Sequence, residues 1–166
     1  YIQLNSNGLR LGQDESLVAA LADAGLSFVF LQFDGVTDDV YRKLRGRELL
    51  DIKTAAIENC GRHNIGVTLV PTLVPGVNTR QIGDIIRFGV AHAPVVRGVH
   101  FQPVSFFGRY PAPPKNEDRY TLGDLLAALP LQTDGGGEAA DAGPDDRDSH
   151  ARSTSRITYG NDRRTG

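Results

Sequence analysis

Hydrophobic positions follow two alternating rhythms along this chain. Four short runs, IQLNSNG at 2–8, FVFLQFDG at 28–35, GVTLVPTLVPGVN at 66–78 and GVHFQPVS at 98–105, begin apolar and end polar. Three stretches with a helical repeat separate them. In the first, Asp14 is placed to cap a helix with Leu17, Leu21 and Ala24 on one face, and Gly25 to stop it. The second, over 48–62, carries Leu49, Ile52, Ala56 and Cys60; the third carries Ile82, Ile85, Ile86 and Gly89. Asn78 and Gln81 ahead of it have capping-box spacing. Residues 27–33 are almost wholly apolar, as in a strand buried on both faces. Their alternation sets Phe28, Phe30, Gln32 and Asp34 on one side and Val29, Leu31 and Phe33 on the other.

Strands are expected to start near residues 2, 27, 65 and 96, with a helix between each pair. Such spacing is that of βαβ units, so the fold class is α/β with four parallel βα units. Four strands are too few to close a barrel, because closure ties tilt and shear to strand number. They form an open arc or part of something larger. After Ser105, Pro111-Ala112-Pro113-Pro114 reads as a stiff spacer, and Thr121 with Asp124 as the cap of a short helix over 122–129 that packs across the arc.

Composition alters this picture at the ends. From residue 134 onward only Ile157 and Tyr159 are sizeable apolar residues, against seven acidic and five basic ones. Such a segment buries too little surface to offset its ordering entropy, and 134–166 is expected to be a disordered tail. Off-frame translation of GC-rich DNA and a solvated linker both account for its Gly, Asp, Arg and Ala content. There is no methionine, and the chain opens directly on strand residues, so an N-terminal truncation is expected.

Charge and motifs narrow the chemistry. Residues 1–133 hold thirteen charges of each sign with no Lys/Arg stripe, so nucleic acid is not an expected partner. No apolar run is long enough to span a membrane. A single cysteine excludes an internal disulfide and fits a cytoplasmic location. There is no GxSxG elbow, no P-loop and no GxGxxG after a strand. The four histidines show no metal-ligand spacing with one another or with Cys60, which reads as a small core residue. His63 and His92 are expected to be solvated at helix ends, and Arg45-Gly46, with Lys53 following, reads either as a group approaching an anion or as a solvated loop.

The strongest functional signal is the series of polar residues at strand C-termini: Asn5, Gln32, Asp34, Thr72 and Gln102. Ligands bind at those ends in parallel α/β folds. Capping and turn satisfaction explain one such residue; four successive strands ending this way point to a ligand-facing rim. A small binding module for a phosphate or sugar, or a partner completing another chain's barrel without catalysis, also accommodates that rim.

In this order and spacing, LNSNG, LQFDG, LRG…K…AIENC, LVPTLVPGVN with IGDIIRFG, and VRGVHFQPVSFFGRYP resemble radical SAM enzymes. The resemblance is to the branch of molybdenum-cofactor synthases, tetraether-lipid synthases and TrsS-like proteins. It implies a partial (β/α)6 TIM-like barrel, its third to sixth strands, over 1–110, followed by the spacer and helix of 111–133. It also implies S-adenosylmethionine (SAM) and a [4Fe–4S] cluster as cofactors of the full-length protein, and a ferredoxin or flavodoxin reductant. The substrate is left open among small molecules, lipids and peptides. By motif position, Asn5 and Ser6 face the substrate or SAM. Gln32, with Asp34 beside it, stands at a ribose or carboxylate contact, Val70 and Thr72 line the pocket, and Phe101, Gln102 and Pro103 flank the adenine. No catalytic residue and no metal ligand is assigned. The family's CxxxCxxC loop is absent, so the chain alone is expected to be inactive.

Overall fold

The computed structural model describes residues 1–106 and 113–133. The expected tail over 134–166, and Pro111 and Ala112 of the spacer, lie outside the described residues. The elements run β1 (Ile2–Ser6), α1 (Leu9–Gln13), α2 (Glu15–Asp23), β2 (Leu26–Gln32), α3 (Asp38–Arg45), α4 (Leu50–Arg62), β3 (Gly66–Val70), β4 (Thr72–Leu73), α5 (Ile82–Ala91), β5 (Val96–Val99), β6 (Gln102–Pro103) and α6 (Leu122–Thr133). One sheet has the order β1-β2-β3-β5, and every neighbouring pair in it is parallel. The α/β class and the parallel βα units are therefore observed.

Strand ends differ from the sequence expectation for a local reason. Pro71 has no N–H to donate, so the ladder of β3 breaks there and resumes as β4, which pairs in parallel with β6. His100 N still donates to Leu69 O at 2.7 Å and Gln102 N to Pro71 O at 2.9 Å. The strand expected over 96–102 thus exists as β5 and β6 on one continuous path.

Helix starts and stops follow side-chain chemistry. Asp14 caps α2 by accepting from Leu17 N at 3.0 Å. Gly25 and Gly46 end α2 and α3 with φ of 90° and 76°, backbone that glycine adopts without a Cβ clash. α3 lies where a loop was expected. Its eight residues place Asp38 and Asp39 in the first turn and Arg42, Lys43 and Arg45 in the last, matching the helix dipole. α6 is capped as expected, with Thr121 N donating to Asp124 Oδ2 at 2.8 Å and Asp124 N to Thr121 Oγ1 at 3.2 Å. It continues to Thr133 and docks on α5 instead of crossing the open arc. Leu125 joins Leu73 and Ile82 there, and Gln132 Nε2 donates to Thr79 O at 2.9 Å.

The core fills one side of the sheet. Val29, Leu31 and Phe33 of the second strand and its exit, with Val67 and Leu69 of β3, pack against Leu11, Val18, Ala56, Ile57, Cys60 and Ile85 of the helices. Each Val, Leu, Ile and Phe side chain among these contributes about 1.5–3 kcal/mol through burial. The opposite face carries Gln3, Asn5, Phe28, Phe30, Gln32, Thr68, Val70 and His100, all exposed or half-buried. The second strand is therefore buried on one face only, although both of its faces are apolar. The helices cover the outside of the arc, and the concave face stays open.

Candidate ligand-facing rim

Register sets the polar strand ends on a stagger, each step two residues further along the sheet, with only Thr72 and Gln102 level with one another. Asn5 lies opposite Phe30, Gln32 opposite Val70, and Thr72 opposite Gln102. Asn5 and Gln102 are exposed, and Gln32, Val70, Thr72 and Pro103 are half-buried. Asn5 Oδ1 accepts from Gln3 Nε2 at 3.1 Å. Ser6 Oγ accepts from Gly8 N at 2.9 Å, which ties it to the turn into α1. Phe101 differs. Its ring packs against both apolar clusters on the helix side, so only its neighbours His100 and Gln102 occupy the open side of that strand.

Asp34 also leaves the open face. The chain departs from the β2 ladder after Gln32, and the Asp34 side chain is fully buried. Its carboxylate accepts from Arg45 Nε at 2.8 Å, Arg45 Nη2 at 3.0 Å and Gln32 Nε2 at 2.6 Å. Thr72 N adds a long contact at 3.4 Å. Arg45 is thus the buried carboxylate's bidentate partner and not part of a solvated loop. Asp34 is shut off from bulk water while Arg45 stays partly exposed, so removing the guanidinium would leave a buried carboxylate uncompensated.

Lys53 departs further from expectation. It sits on the buried stripe of α4, and its Nζ donates to the main-chain oxygens of Asn7 and of Gln32, the latter at 2.8 Å. Burial pushes its ammonium down to about 8, with Asp34 opposing that shift and Arg45 and Arg47 adding to it. A charged residue three positions before Ala56 and seven before Cys60, on an otherwise apolar stripe, is the sequence signal that marks it.

Asn78 does not form the expected capping box. Its Oδ1 accepts from Val74 N at 2.8 Å, and its Nδ2 donates to Asp34 O and to Thr72 O, each at 2.8 Å. Gln81 instead reaches Val36 N at 3.0 Å and Thr37 Oγ1 at 2.8 Å. A buried asparagine satisfies three main-chain groups of two loops, which outweighs one helix cap. These ties hold the β2, β4 and α5 ends of the rim together.

The remaining singled-out residues separate clearly. His100 is exposed on the open face with its ring 6.1 Å from Phe30. His92 is not solvated but stacks on Phe88 at 4.0 Å. His63 is half-buried with Nε2 3.4 Å from Glu15 Oε1. Cys60 is buried among apolar side chains, and burial pushes its thiol up to about 11. A [4Fe–4S] cluster bound with SAM needs three thiolates. The sequence holds one cysteine, in an environment that keeps it protonated, so these residues do not fit the cluster. Among the described residues no group of His, Cys, Asp or Glu is arranged to hold a metal ion. None of their helices is long and apolar enough to cross a membrane.

The chain is 44% identical over 136 residues to the 7,8-dihydro-6-hydroxymethylpterin dimethyltransferase of Methanocaldococcus jannaschii, covering 81% of this chain and 27% of that protein. It is 25% identical over 115 residues to a probable GTP 3',8-cyclase of Thermococcus kodakarensis, covering 66% of this chain and 36% of the relative. The chain therefore spans about a quarter to a third of the curated relatives it matches. The profile of the Radical SAM superfamily matches residues 1–89, which include β1 to β4 and the rim residues Asn5, Gln32, Asp34, Val70 and Thr72. With the parallel strand order and the polar strand ends, that match identifies the chain as a member of the radical SAM superfamily.

Proposed function

We propose that this chain forms the nucleoside- and substrate-facing wall of a radical SAM enzyme whose cluster ligands lie in sequence outside these 166 residues. The observation that supports this reading best is the staggered series of Asn5, Gln32, Thr72 and Gln102 at parallel strand ends beside an open, half-apolar face. A flat nucleoside is held by such a combination of apolar wall and a few convergent polar groups. In this reading Asn5 and Ser6 face the substrate or SAM, Gln32 meets the ribose or the carboxylate, Val70 and Thr72 line the pocket, and Gln102 and Pro103 flank the adenine. Phe101 backs that wall from the helix side. In the full-length protein a bound, reduced [4Fe–4S] cluster would supply the electron for cleaving SAM to methionine and a 5′-deoxyadenosyl radical. The residues of this chain bind and orient, and keep water from the reacting groups. The setting is cytoplasmic, with a ferredoxin or flavodoxin as reductant.

The substrate we favour is a fused-ring nitrogen heterocycle, because the names of both relatives denote one, a pterin and a guanine nucleotide. The full-length protein, purified anaerobically and given SAM and a reductant, is expected to form 5′-deoxyadenosine, faster with a pterin or GTP present. A cluster-loaded protein that forms none overturns the enzymatic reading. Acceleration only by a peptide or a lipid overturns the substrate class.

A further inference from the structure

We propose that Asp34 and Arg45 form a positioning pair that fixes the side-chain amide of Gln32, so that the rim offers Gln32 Oε1 as an oriented acceptor for a ligand hydroxyl. The hydroxyl-binding half rests on the nucleoside-binding reading above; the positioning half does not.

The orientation follows from chemistry. Asp34 Oδ2 receives Arg45 Nε at 2.8 Å, and Oδ1 receives Arg45 Nη2 at 3.0 Å. A carboxylate that takes both arms of a guanidinium presents only acceptor sites to its remaining neighbour. The Gln32 atom 2.6 Å from Oδ2 must therefore be the nitrogen. The flipped amide would set Oε1 against a carboxylate oxygen in a buried site, where unpaired oxygens repel and neither is solvated. Oε1, in the same amide plane, is directed away from Asp34. Among the described residues the side-chain hydrogen bond of Gln32 is the one from Nε2 to Asp34, and Gln32 is half-buried, on the open face.

The backbone of Gln32 is fixed as well. Its carbonyl accepts from Lys53 Nζ at 2.8 Å, and Phe33 N donates to Val70 O at 3.2 Å, continuing the ladder one residue beyond β2. Asp34 in turn is held through its own carbonyl by Asn78. Arg45 projects from the last turn of α3, which Gly46 ends. Lys53, Val70, Asn78 and Arg45 thus fix the backbone of Gln32 and Phe33 and the carboxylate of Asp34 that holds the amide. An acceptor oriented in advance binds a hydroxyl without losing the amide's rotational freedom at the moment of binding. Asp34 is accordingly a positioning residue rather than a ligand contact.

The full-length protein labelled with 15N at glutamine side chains tests both halves, with Gln32→Met assigning the signal. An amide held by Asp34 gives a Gln32 side-chain 15N order parameter close to that of rigid backbone, and Asp34→Asn or Arg45→Lys is expected to lower it while the other glutamine signals stay in place. Arg45→Lys carries the test if Asp34→Asn fails to fold. A Gln32 amide that is already mobile in the parent, or whose order parameter neither variant lowers, overturns the proposal whether or not a ligand binds. For the second half the probe is S-adenosylhomocysteine, with its 2′,3′-dideoxy analogue as comparison. Arg45→Lys is expected to weaken the probe about tenfold, to weaken the analogue much less, and to have no further effect in a Gln32→Met background. Equal weakening of probe and analogue overturns the hydroxyl contact. A wild-type protein that binds neither overturns the nucleoside reading and, with it, only the hydroxyl-binding half.

Discussion

Lys53 Nζ donates to the main-chain carbonyl of Gln32 at 2.8 Å from a fully buried position, and the same ammonium takes the carbonyl of Asn7. One cation on α4 therefore joins the exits of β1 and β2, the two strand ends at the start of the rim. Lys53→Met leaves both carbonyls without this donor and is expected to cost about 1–3 kcal/mol at neutral pH, read by urea unfolding.

The same residue predicts a pH dependence. Its folded-state pKa is lowered from 10.5 to about 8, so between those values the unfolded chain holds more protons than the folded one. Stability then rises with pH across that interval, by at most about 1.4 kcal/mol per pH unit. Cys60 acts oppositely. Its thiol is raised from 9.0 to about 11, and the stability it contributes is lost above pH 9. The Lys53 effect is therefore isolated between pH 8 and 9. Unfolding free energy should rise there in the parent and stay level in Lys53→Met; equal slopes would refute the assignment.

Asn78 predicts the cost of unlocking the rim. Replacing it by Leu strips partners from Val74 N, Asp34 O and Thr72 O together. A loss of about 2–4 kcal/mol is expected, together with faster amide exchange at Val74. A loss within about 0.5 kcal/mol, the range of ordinary surface changes, would mean that these loops are held by something else.

Gly83 is a test of the α5–α6 contact. A Cβ there would stand 2.2 Å from the main-chain oxygen of Gln132, which backbone movement alone can relieve. Gly83→Ala is expected to release the C-terminal turn of α6, seen as early proteolysis near Gln132, and to cost about 1–3 kcal/mol. Protection equal to the parent would show that α6 docks in some other way.

β1 predicts association. Among the described residues it hydrogen-bonds to β2 alone, and Ile2 is 55% exposed on it. A strand with one open edge and an exposed apolar residue pairs with other chains. Low solubility is expected for the 166-residue chain, and Ile2→Lys should reduce its light scattering several-fold. A monodisperse parent chain that melts cooperatively would contradict this.

Local signals account for much of the architecture. Asp14, Gly25 and the Thr121–Asp124 pair act where they stand, because a cap or a stop depends on groups within a few residues. The apolar stripe of α5 and the alternation of β2 were equally readable, since each periodicity is a property of one element. α3 was missed because its residues are polar and its helix rests on charge placement and on Asp34. Asn78 was misread because its capping spacing is local, while the three groups it satisfies come from two loops.

By itself the chain determined its parallel βα order, its series of polar strand ends and its superfamily, all of which follow from short-range pattern and motif order. Only the tertiary structure decided which of those polar groups face outward. Asn5, Gln32, Thr72 and Gln102 remain on the open side, while Asp34 turns inward to Arg45. The reason is physical. A buried carboxylate must find a cation and donors wherever the fold places them, and Arg45, eleven residues away, and Thr72, thirty-eight away, meet it only when α3 and β4 pack against the exit of β2.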